Sequence, residues 1–264
     1  MTTISYGSLS DIGRVRSDNQ DCLGKFPEGT DALSVAKGQL FVVADGMGGH
    51  AGGRLASDLA VQTLSSAYAG ASTNSIRESL LQSFRKANEE ILTYAQQHPQ
   101  YAGMGTTCTA FVMQERRATI AHIGDTRIYR IMKTKIQQIT DDHSKVAEMI
   151  RRNIISKEEA KHHPERSHLY RALGIRPSVD VDVIEDVTVR PGMFFLMCTD
   201  GLYNHVEDDE MRRIVGTLGP ADAVQELVNL ANERGGLDNI SVHVIRIDPA
   251  EGRLRKLFRR NRKR

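Results

Sequence analysis

FVVADGMGGHAGG, residues 41–53, is the first segment of the chain that indicates both a fold and a site. Its apolar run predicts a buried strand that ends at a single acid, Asp45, and five glycines follow within the next eight residues. A glycine-rich turn between a strand and a helix commonly binds phosphate. A carboxylate at the end of the strand would repel that phosphate, so the glycines need a different explanation.

Three kinds of phosphate-binding loop fit this segment poorly. A P-loop needs Gly-Lys-Ser/Thr at the start of the helix, and Arg54 stands in place of the lysine. Gly46, Gly48 and Ala51 match the G-x-G-x-x-A pattern of dinucleotide sites, but the segment about 20 residues further on, LSSAYAG, lacks the acid that would bind the ribose. A kinase glycine loop requires a lysine on the next strand and an HRD-type segment, and the chain shows neither.

A metal site explains the same residues better. The carboxylate of Asp45 offers oxygen ligands. Gly46 has no side chain, so its backbone carbonyl can closely approach the same ion. The remaining glycines let the chain turn sharply into a helix that begins near Arg54.

Four further aspartates lie beside predicted strands, as Asp45 does, and they are Asp21, Asp125, Asp200 and Asp238. Each alone is better explained as a turn residue or a helix cap. Together at one sheet edge they would repel one another and would need cations. Oxygen donors without His or Cys at ligand spacing suit Mg²⁺ or Mn²⁺ rather than zinc or copper. Spacing alone does not show that the five acids converge.

Composition indicates one large cytoplasmic domain. The chain has 264 residues, of which 40% are hydrophobic, and it has no tryptophan, so we expect a mostly aliphatic core. Its three cysteines are far apart and fit neither a disulfide framework nor a zinc spacing. The first residues, MTTISYG, show no signal peptide, and no apolar run is long enough to span a bilayer.

The positive charge of the chain is concentrated at its C-terminus. The last twelve residues, RLRKLFRRNRKR, contain eight Lys or Arg and no acid, and the rest of the chain has 27 basic and 33 acidic residues. One interpretation is a solvated, disordered tail. The other is contact with a membrane surface, a nucleic acid or an acidic partner, and Leu254, Leu257 and Phe258 favour a membrane surface or a partner.

Strand patterns occur in runs and helix patterns in pairs, which favours an α+β fold with mostly antiparallel sheets. Thr73 or Asn74 offers an N-cap for the helix over 73–97, and residues 142–172 are polar and charged, as in an inserted subdomain. The predicted strands cover residues 3–9, 39–44, 105–114, 117–124, 126–132, 135–140, 179–189, 193–198 and 240–247. The predicted helices cover residues 55–69, 73–97, 144–162, 207–218 and 220–234.

Taken in order, the motifs resemble the metal-dependent protein serine/threonine phosphatases of the 2C type (PPM family), in particular their bacterial branch. The similarity extends from about residue 4 to 247 and comprises RSDNQD, VADGMGGHAGG, GTTCTAF, IGDTRIYRI, the DHS and HPERSHLYRALG segments, CTDGLYNHV and DNISV. It implies an α-β-β-α sandwich, in which two central, mostly antiparallel β-sheets carry helix pairs on both outer faces. It also implies a catalytic domain at 1–248 with a flap-like subdomain at about 142–172, followed by a basic tail at 249–264.

The resemblance further implies hydrolysis of phosphoserine and phosphothreonine by attack of a metal-bridging water. The cofactors would be two Mn²⁺ or Mg²⁺ ions, with room for a third. Asp45 is expected to bridge the two ions and the Gly46 carbonyl to bind one of them. Asp200 and Asp238 would complete the first site, and Asp21 would serve the second, directly or through water.

Two further residues receive roles from the same resemblance. Asp125 matches the acid that holds a third, looser ion together with Asp200. Arg16 is expected to clamp the substrate phosphate, since its planar fork binds two phosphate oxygens at once. The alternative for Arg16 is an exposed arginine in a salt bridge.

The chain departs from the family pattern at two positions. Many eukaryotic members have a histidine, a proposed general acid, where this chain has Met47, and His50 follows three residues later. His50 is therefore a candidate general acid, with a structural role as the alternative. Gln20 stands where many members carry Glu, which predicts a second metal site that is weaker or depends more on Asp21.

The predicted protein is a cytoplasmic, monomeric phosphatase that acts on phosphorylated proteins, opposes a Ser/Thr kinase and binds no specific nucleic acid. The alternative is a catalytically silent phospho-binding or scaffold module on the same fold. Because the chain retains all five aspartates, we favour the enzyme.

Overall fold

The computed structural model describes residues 3–27 and 37–249, and of His50 it describes the backbone alone. The strands are β1 (Thr3–Asp11), β2 (Asp21–Phe26), β3 (Gln39–Met47), β4 (Gly105–Thr106), β5 (Cys108–Gln114), β6 (Arg117–Ile123), β7 (Arg127–Met132), β8 (Lys135–Gln138), β9 (Asp182–Thr188), β10 (Phe194–Cys198) and β11 (Ile240–Asp248). The helices are α1 (His50–Gly70), α2 (Ile76–Gln97), α3 (Lys145–Arg151), α4 (Lys157–Lys161), α5 (Asp200–Tyr203), α6 (Asp208–Thr217) and α7 (Pro220–Glu233), with a 3₁₀ turn at Pro99–Tyr101.

The strands form two sheets in which neighbouring strands are antiparallel. One sheet has the order β1-β11-β10-β7-β8. The other has the order β2-β3-β5-β6-β9, and β4 pairs with β3. The predicted α+β class with antiparallel sheets is therefore confirmed.

Strand β3 shows how the layers pack. Leu40, Val42 and Ala44 face the helices α1 and α2, whereas Phe41 and Val43 face the opposite sheet. Successive side chains of a strand point to opposite faces, so a strand that is buried on both faces needs an uninterrupted apolar run. This is the run that precedes Asp45 in the sequence.

The second sheet is built in the same way. From β11, Ile240, Val242 and Val244 pack against the outer helices α6 and α7, and Ile245 and Ile247 pack between the sheets. The cores therefore lie outside each sheet and between the two sheets, which confirms the predicted α-β-β-α sandwich.

Several predicted element boundaries are wrong. Ser75, and not Thr73 or Asn74, caps α2, since its side chain accepts a hydrogen bond from Glu78 N. The helix predicted over 144–162 is two short helices, because Ser156 and Glu159 form a capping box that begins α4. The starts of α2 and α4 are both visible in the sequence as S-x-x-E.

The sequence patterns did not predict two short elements, β2 and α5. Strand β2 has little apolar alternation, and a four-residue helix leaves no periodic pattern. Among the described residues, no helix has the length and apolar character needed to cross a membrane.

Candidate active site

The five predicted aspartates meet at one edge of the sandwich. Asp45 lies near the end of β3, and Asp21, its partner in register, begins the antiparallel strand β2. Asp125 lies in the turn between β6 and β7, Asp200 follows β10, and Asp238 precedes β11. Antiparallel neighbours run in opposite directions, so the end of one strand lies beside the beginning of the next. The topology therefore collects acids that are far apart in sequence.

Two threonines fix the backbone of Asp45. Asp45 N donates a hydrogen bond to Thr107 Oγ1 over 2.9 Å, and Thr107 N donates to Asp45 O over 2.9 Å. Thr106 Oγ1 donates to the same carbonyl over 2.9 Å. Both threonines are buried and position the strand end.

Sequence reasoning missed Thr199 and assigned no role to Asn239, and both connect the two sheets. Thr199 Oγ1 donates to Asp21 Oδ2 over 2.8 Å. Asn239 Oδ1 accepts from Gln20 N over 2.9 Å, and its Nδ2 donates to Asp18 O over 2.9 Å. These contacts cross more than 170 residues of sequence, so no local signal marks them.

The glycine that follows each of two site acids permits close backbone packing. A Cβ on Gly46 would lie 2.0 Å from Gly53 O, and a Cβ on Gly201 would lie 2.0 Å from Asn239 O. Neither position has room for a side chain. The Asp-Gly dipeptides therefore bring the acid-bearing loops together at the sheet edge.

Burial and mutual repulsion disfavour the charged form of the site acids. Burial, opposed by hydrogen bonds and assisted by the charges of Asp200 and Asp238, raises the pKa of Asp21 to about 7. Burial and the same kind of repulsion raise the pKa of Asp125 to about 8 and that of Asp200 to about 6. The pKa of Asp45 lies well above its ordinary value, since it is buried and faces all four other acids. A cation among these carboxylates would favour their ionised form.

A cavity of about 370 Å³ opens over this edge. Arg16 lies in its wall and is half exposed, and its Nη2 lies 2.6 Å from Asp238 Oδ2. The salt bridge considered as an alternative for Arg16 is therefore present, and it lies inside the cavity. The lining residues are Arg16, Ser17, Asp18, Gln20, Asp45, Gly46, Met47, Gly48, Gly49, Thr107, Asp125, Ser167, Leu169, Asp200, Asp238 and Asn239.

The acid side chains are directed at protein donors. Asp238 accepts from Arg16, Asp125 from Tyr203 over 3.3 Å, and Asp200 from Asn204 over 3.2 Å. Within residues 3–27 and 37–249, no group of three acidic, imidazole or thiol side chains is already arranged to hold one ion.

The Asp45 carboxylate nevertheless indicates a cation, because it lies half-buried in the cavity wall among like charges and accepts no hydrogen bond from the described residues. A proton or a positive charge would relieve this repulsion. The donor set, carboxylates with a nearby glycine carbonyl, fits Mg²⁺ or Mn²⁺ in its chemistry.

The family pattern differs at Gln20 and at Met47, and the structure places both residues beside the glycine loop or the cavity. Gln20 O accepts from Gly46 N over 3.1 Å, and Gln20 Nε2 donates to Gly49 O over 3.3 Å, so this residue supports the glycine loop. Met47 lines the cavity. His50 begins α1, but its side chain lies outside the described residues.

Comparison with known proteins identifies the family. The profile of protein phosphatase 2C matches residues 17–239. The chain belongs to the protein phosphatase 2C family. The serine/threonine phosphatase Stp of Listeria monocytogenes is 37% identical over 244 residues, which cover 90% of this chain and 94% of that protein. The chain is accordingly a metal-dependent protein serine/threonine phosphatase.

Solved 2C phosphatases have the same fold. The Mycobacterium tuberculosis serine/threonine phosphatase PstP/Ppp matches with a TM-score of 0.82 and 31% identity, covering 94% of this chain and all of that one. A second structure, the catalytic domain of PstP in complex with two manganese ions, matches with a TM-score of 0.82 and 30% identity over 94% of this chain and all of that one.

Proposed function

We propose that the five aspartates and the Gly46 carbonyl hold two Mn²⁺ or Mg²⁺ ions, with Asp125 and Asp200 able to hold a third. The observation that carries this proposal is one cavity lined by four of the acids and one arginine, with Asp21 paired in register with Asp45 beside it. Burial and repulsion raise the pKa of Asp21, Asp45, Asp125 and Asp200. The two manganese ions of PstP support it.

The residues of the chain have distinct tasks in the proposed reaction. When bound, divalent cations supply Lewis-acid charge that activates water and polarises the phosphoryl group. The carboxylates hold those cations, so no protein nucleophile is required. Arg16 uses one nitrogen on Asp238 and retains further N–H groups for phosphate oxygens. Since arginine stays charged, it also offsets the negative charge that the acids present to the substrate.

A protein substrate fits the surroundings of the cavity. A second cavity of about 440 Å³ adjoins the first, and the two share Met47, Ser167 and Leu169 in their linings. Pro164, Glu165 and His168 line the rest of it. We propose that the residues beside the phosphorylated side chain bind here, against the segment 142–172.

The remaining expectations stay predictions. They are the general-acid role of His50, a cognate Ser/Thr kinase, a cytoplasmic location, a monomeric state, the absence of specific nucleic-acid binding, and a membrane or acidic-partner contact of the basic tail. Residues 250–264 of that tail lie outside the described residues.

The test replaces one site acid and one matched acid. Asp45→Asn removes the acid that faces all the others, and Asp248→Asn changes an aspartate at the far end of β11 that pairs with Arg246. We expect Asp45→Asn to lower Mn²⁺-dependent hydrolysis of a phosphothreonine peptide roughly 100-fold or more, since a lost ligand costs at least as much as a lost outer partner. Asp248→Asn should hydrolyse the same peptide at the wild-type rate.

In calorimetric titration with Mn²⁺ alone, Asp45→Asn should bind the ion more weakly than Asp248→Asn does. Full activity of Asp45→Asn would contradict the ligand assignment. A wild-type protein that binds the phosphopeptide without releasing phosphate would instead support the silent-module alternative.

A further inference from the structure

The turn at residues 124–127, which carries Asp125, is held on one side by His143. His143 N donates to Gly124 O over 2.7 Å, and Gly124 N donates to His143 Nδ1 over 3.1 Å. The φ of Gly124 is +108°, and a Cβ there would lie 2.5 Å from Thr107 Cβ. This pair of bonds, the His143–Gly124 clamp, fixes the backbone directly before Asp125.

The same turn is held on its other side by Asp142. Arg127 Nε lies 3.0 Å from Asp142 Oδ1, and Arg127 Nη2 lies 2.6 Å from Asp142 Oδ2. Gln138 Nε2 donates to Asp142 Oδ1 over 2.8 Å. The side chains of Arg127 and Asp142 are 23% and 10% exposed. A largely buried bidentate pair of this kind keeps one geometry, because separating it would leave a charge without a partner.

Arg127 in turn fixes the ring of Tyr203. The guanidinium carbon lies 3.5 Å from the centroid of that ring, within the range of a cation–π contact. The Tyr203 hydroxyl donates to Asp125 Oδ2 over 3.3 Å. Tyr203 ends α5, the helix that begins at Asp200. The ring therefore connects the two acids proposed for the third ion.

We propose that Asp142, Arg127 and Tyr203 form a positioning chain that, with the His143–Gly124 clamp, orients the Asp125 carboxylate for a divalent cation. The inference rests on the proposed metal-binding role of Asp125. A carboxylate that is already oriented loses less rotational freedom when it binds an ion, and outer partners of metal ligands typically raise affinity in this way. None of the three residues of the positioning chain is itself a ligand.

The positioning chain also connects the ion to the segment beside the substrate cavity. Asp142 and His143 begin the segment 142–172, and His143 Nε2 donates to Asp182 Oδ2 over 3.0 Å. Arg171, near the other end of the segment, donates to Asp182 Oδ1 over 2.9 Å. Both ends of the segment thus meet at Asp182, beside the His143–Gly124 clamp that holds the turn of Asp125.

The test is calorimetric titration of the full-length protein with Mn²⁺ alone. Asp125→Asn identifies the binding step that depends on Asp125, since this step should be lost. Tyr203→Phe removes the hydroxyl and retains the ring, and we expect it to weaken the same step about 10-fold and to leave the other steps unchanged. The control is Tyr68→Phe, which removes a buried hydroxyl that donates to Lys37 O over 2.6 Å and lies on α1.

A second pair of variants tests the next residue of the positioning chain. Arg127→Lys removes the fork and the contact with the Tyr203 ring, and it should weaken the same step at least as much as Tyr203→Phe does. Arg130→Lys changes an arginine of the same strand that bonds to Gln137 and serves as its control. In activity assays, Tyr203→Phe should raise the Mn²⁺ concentration for half-maximal rate and leave kcat at saturating Mn²⁺ unchanged.

The outcomes separate the two proposals. If the wild-type protein binds Mn²⁺ and Tyr203→Phe binds it with equal affinity, the positioning chain is only a structural feature and the inference is overturned. If the wild-type protein binds no Mn²⁺, the proposed metal centre fails as well.

Discussion

Aspartates of this protein differ in their partners, and that difference separates structural acids from site acids. Asp142 is buried and receives hydrogen bonds from three nitrogens of Arg127 and Gln138. Asp45 is half-buried in the cavity wall, its carboxylate receives no hydrogen bond from the described residues, and it faces four like charges. A proton or a cation would relieve the repulsion on such a group. The partners of an acid are thus a better guide to its role than its burial.

Arg16 provides a residue-scale prediction about substrate binding. Arg16→Ala removes a charged fork from the cavity wall, and such contacts contribute about 1.5–3 kcal/mol. We expect kcat/KM for a phosphothreonine peptide to fall roughly 10- to 150-fold. Arg16→Lys should recover part of this loss, because the charge is restored without the bidentate geometry.

The control for Arg16 is its neighbour Arg14, which is exposed and does not line the cavity. Arg14→Ala should leave kcat/KM within about twofold of wild type, as is usual for surface substitutions. Equal losses in Arg14→Ala and Arg16→Ala would indicate a general effect of surface charge and would refute a specific phosphate contact.

At the scale of elements, long periodic segments were predictable and short polar ones were not. The apolar runs of β3 and β11 mark strands that are buried on both faces, and the stripe of α2 marks a helix. Strand β2 and helix α5 carry two of the site acids, and neither has a pattern of its own. They exist because neighbouring elements pair with them and pack against them, which is tertiary information that a local pattern lacks.

Two glycines in neighbouring helices give opposite predictions for the same substitution. A Cβ on Gly201, in α5, would lie 2.0 Å from Asn239 O, so Gly201→Ala should destabilise the protein by about 1–3 kcal/mol and lower activity. Gly216, in α6, is exposed, and a Cβ there meets no described atom within 4 Å. Gly216→Ala should therefore stabilise the protein by about 0.5–1 kcal/mol.

Urea unfolding measures both glycine effects, and the phosphatase assay separates them further. Gly216→Ala should keep full activity because no residue of α6 lines the cavity. Stabilisation by Gly201→Ala would show that the loops at the sheet edge tolerate a side chain, contrary to the close packing described above.

At the scale of the whole molecule, the site is a consequence of how two sheets face each other. The sequence alone placed each acid beside a strand, and the family resemblance supplied their grouping. Their convergence depends on the antiparallel register and on contacts between the sheets, such as Thr199 with Asp21. Such pairs are more than 170 residues apart, so neither periodicity nor local spacing predicts them. Tyr203 and Arg127 were missed because their contacts join separate elements, which no local pattern marks.

The interface between the sheets contains a buried histidine that connects them. His243 Nε2 donates to Val42 O over 3.1 Å, and Ser8 Oγ donates to His243 Nδ1 over 2.7 Å. The Val42 carbonyl can only accept, so Nε2 carries a proton, and in the neutral ring Nδ1 accepts from Ser8. Burial lowers the pKa of His243 to about 4, although the bond to Val42 opposes this shift. A proton on Nδ1 would reverse the hydrogen bond with Ser8 and place a charge between the sheets.

His243 therefore predicts how stability depends on pH. Its pKa of about 4 in the folded protein lies below the value of about 6.5 in the unfolded chain, so between these values the unfolded chain binds more protons. Neutral His243 therefore makes its full contribution to the free energy of unfolding above about pH 6.5. This contribution is lost as the pH falls towards 4, and at pH 5 the loss is on the order of 2 kcal/mol. In His243→Gln this position no longer titrates, so its free energy of unfolding should decrease less between pH 7.5 and pH 5 than that of the wild type.

Urea unfolding in EDTA at both pH values provides the comparison. The acid cluster and the buried His122 are present in both proteins, so their contributions cancel in the difference between the two pH dependences. His162→Gln, at an exposed position, should retain the wild-type dependence. If His243→Gln showed the same decrease in the free energy of unfolding as the wild type, protonation of His243 would not explain the loss of stability in acid.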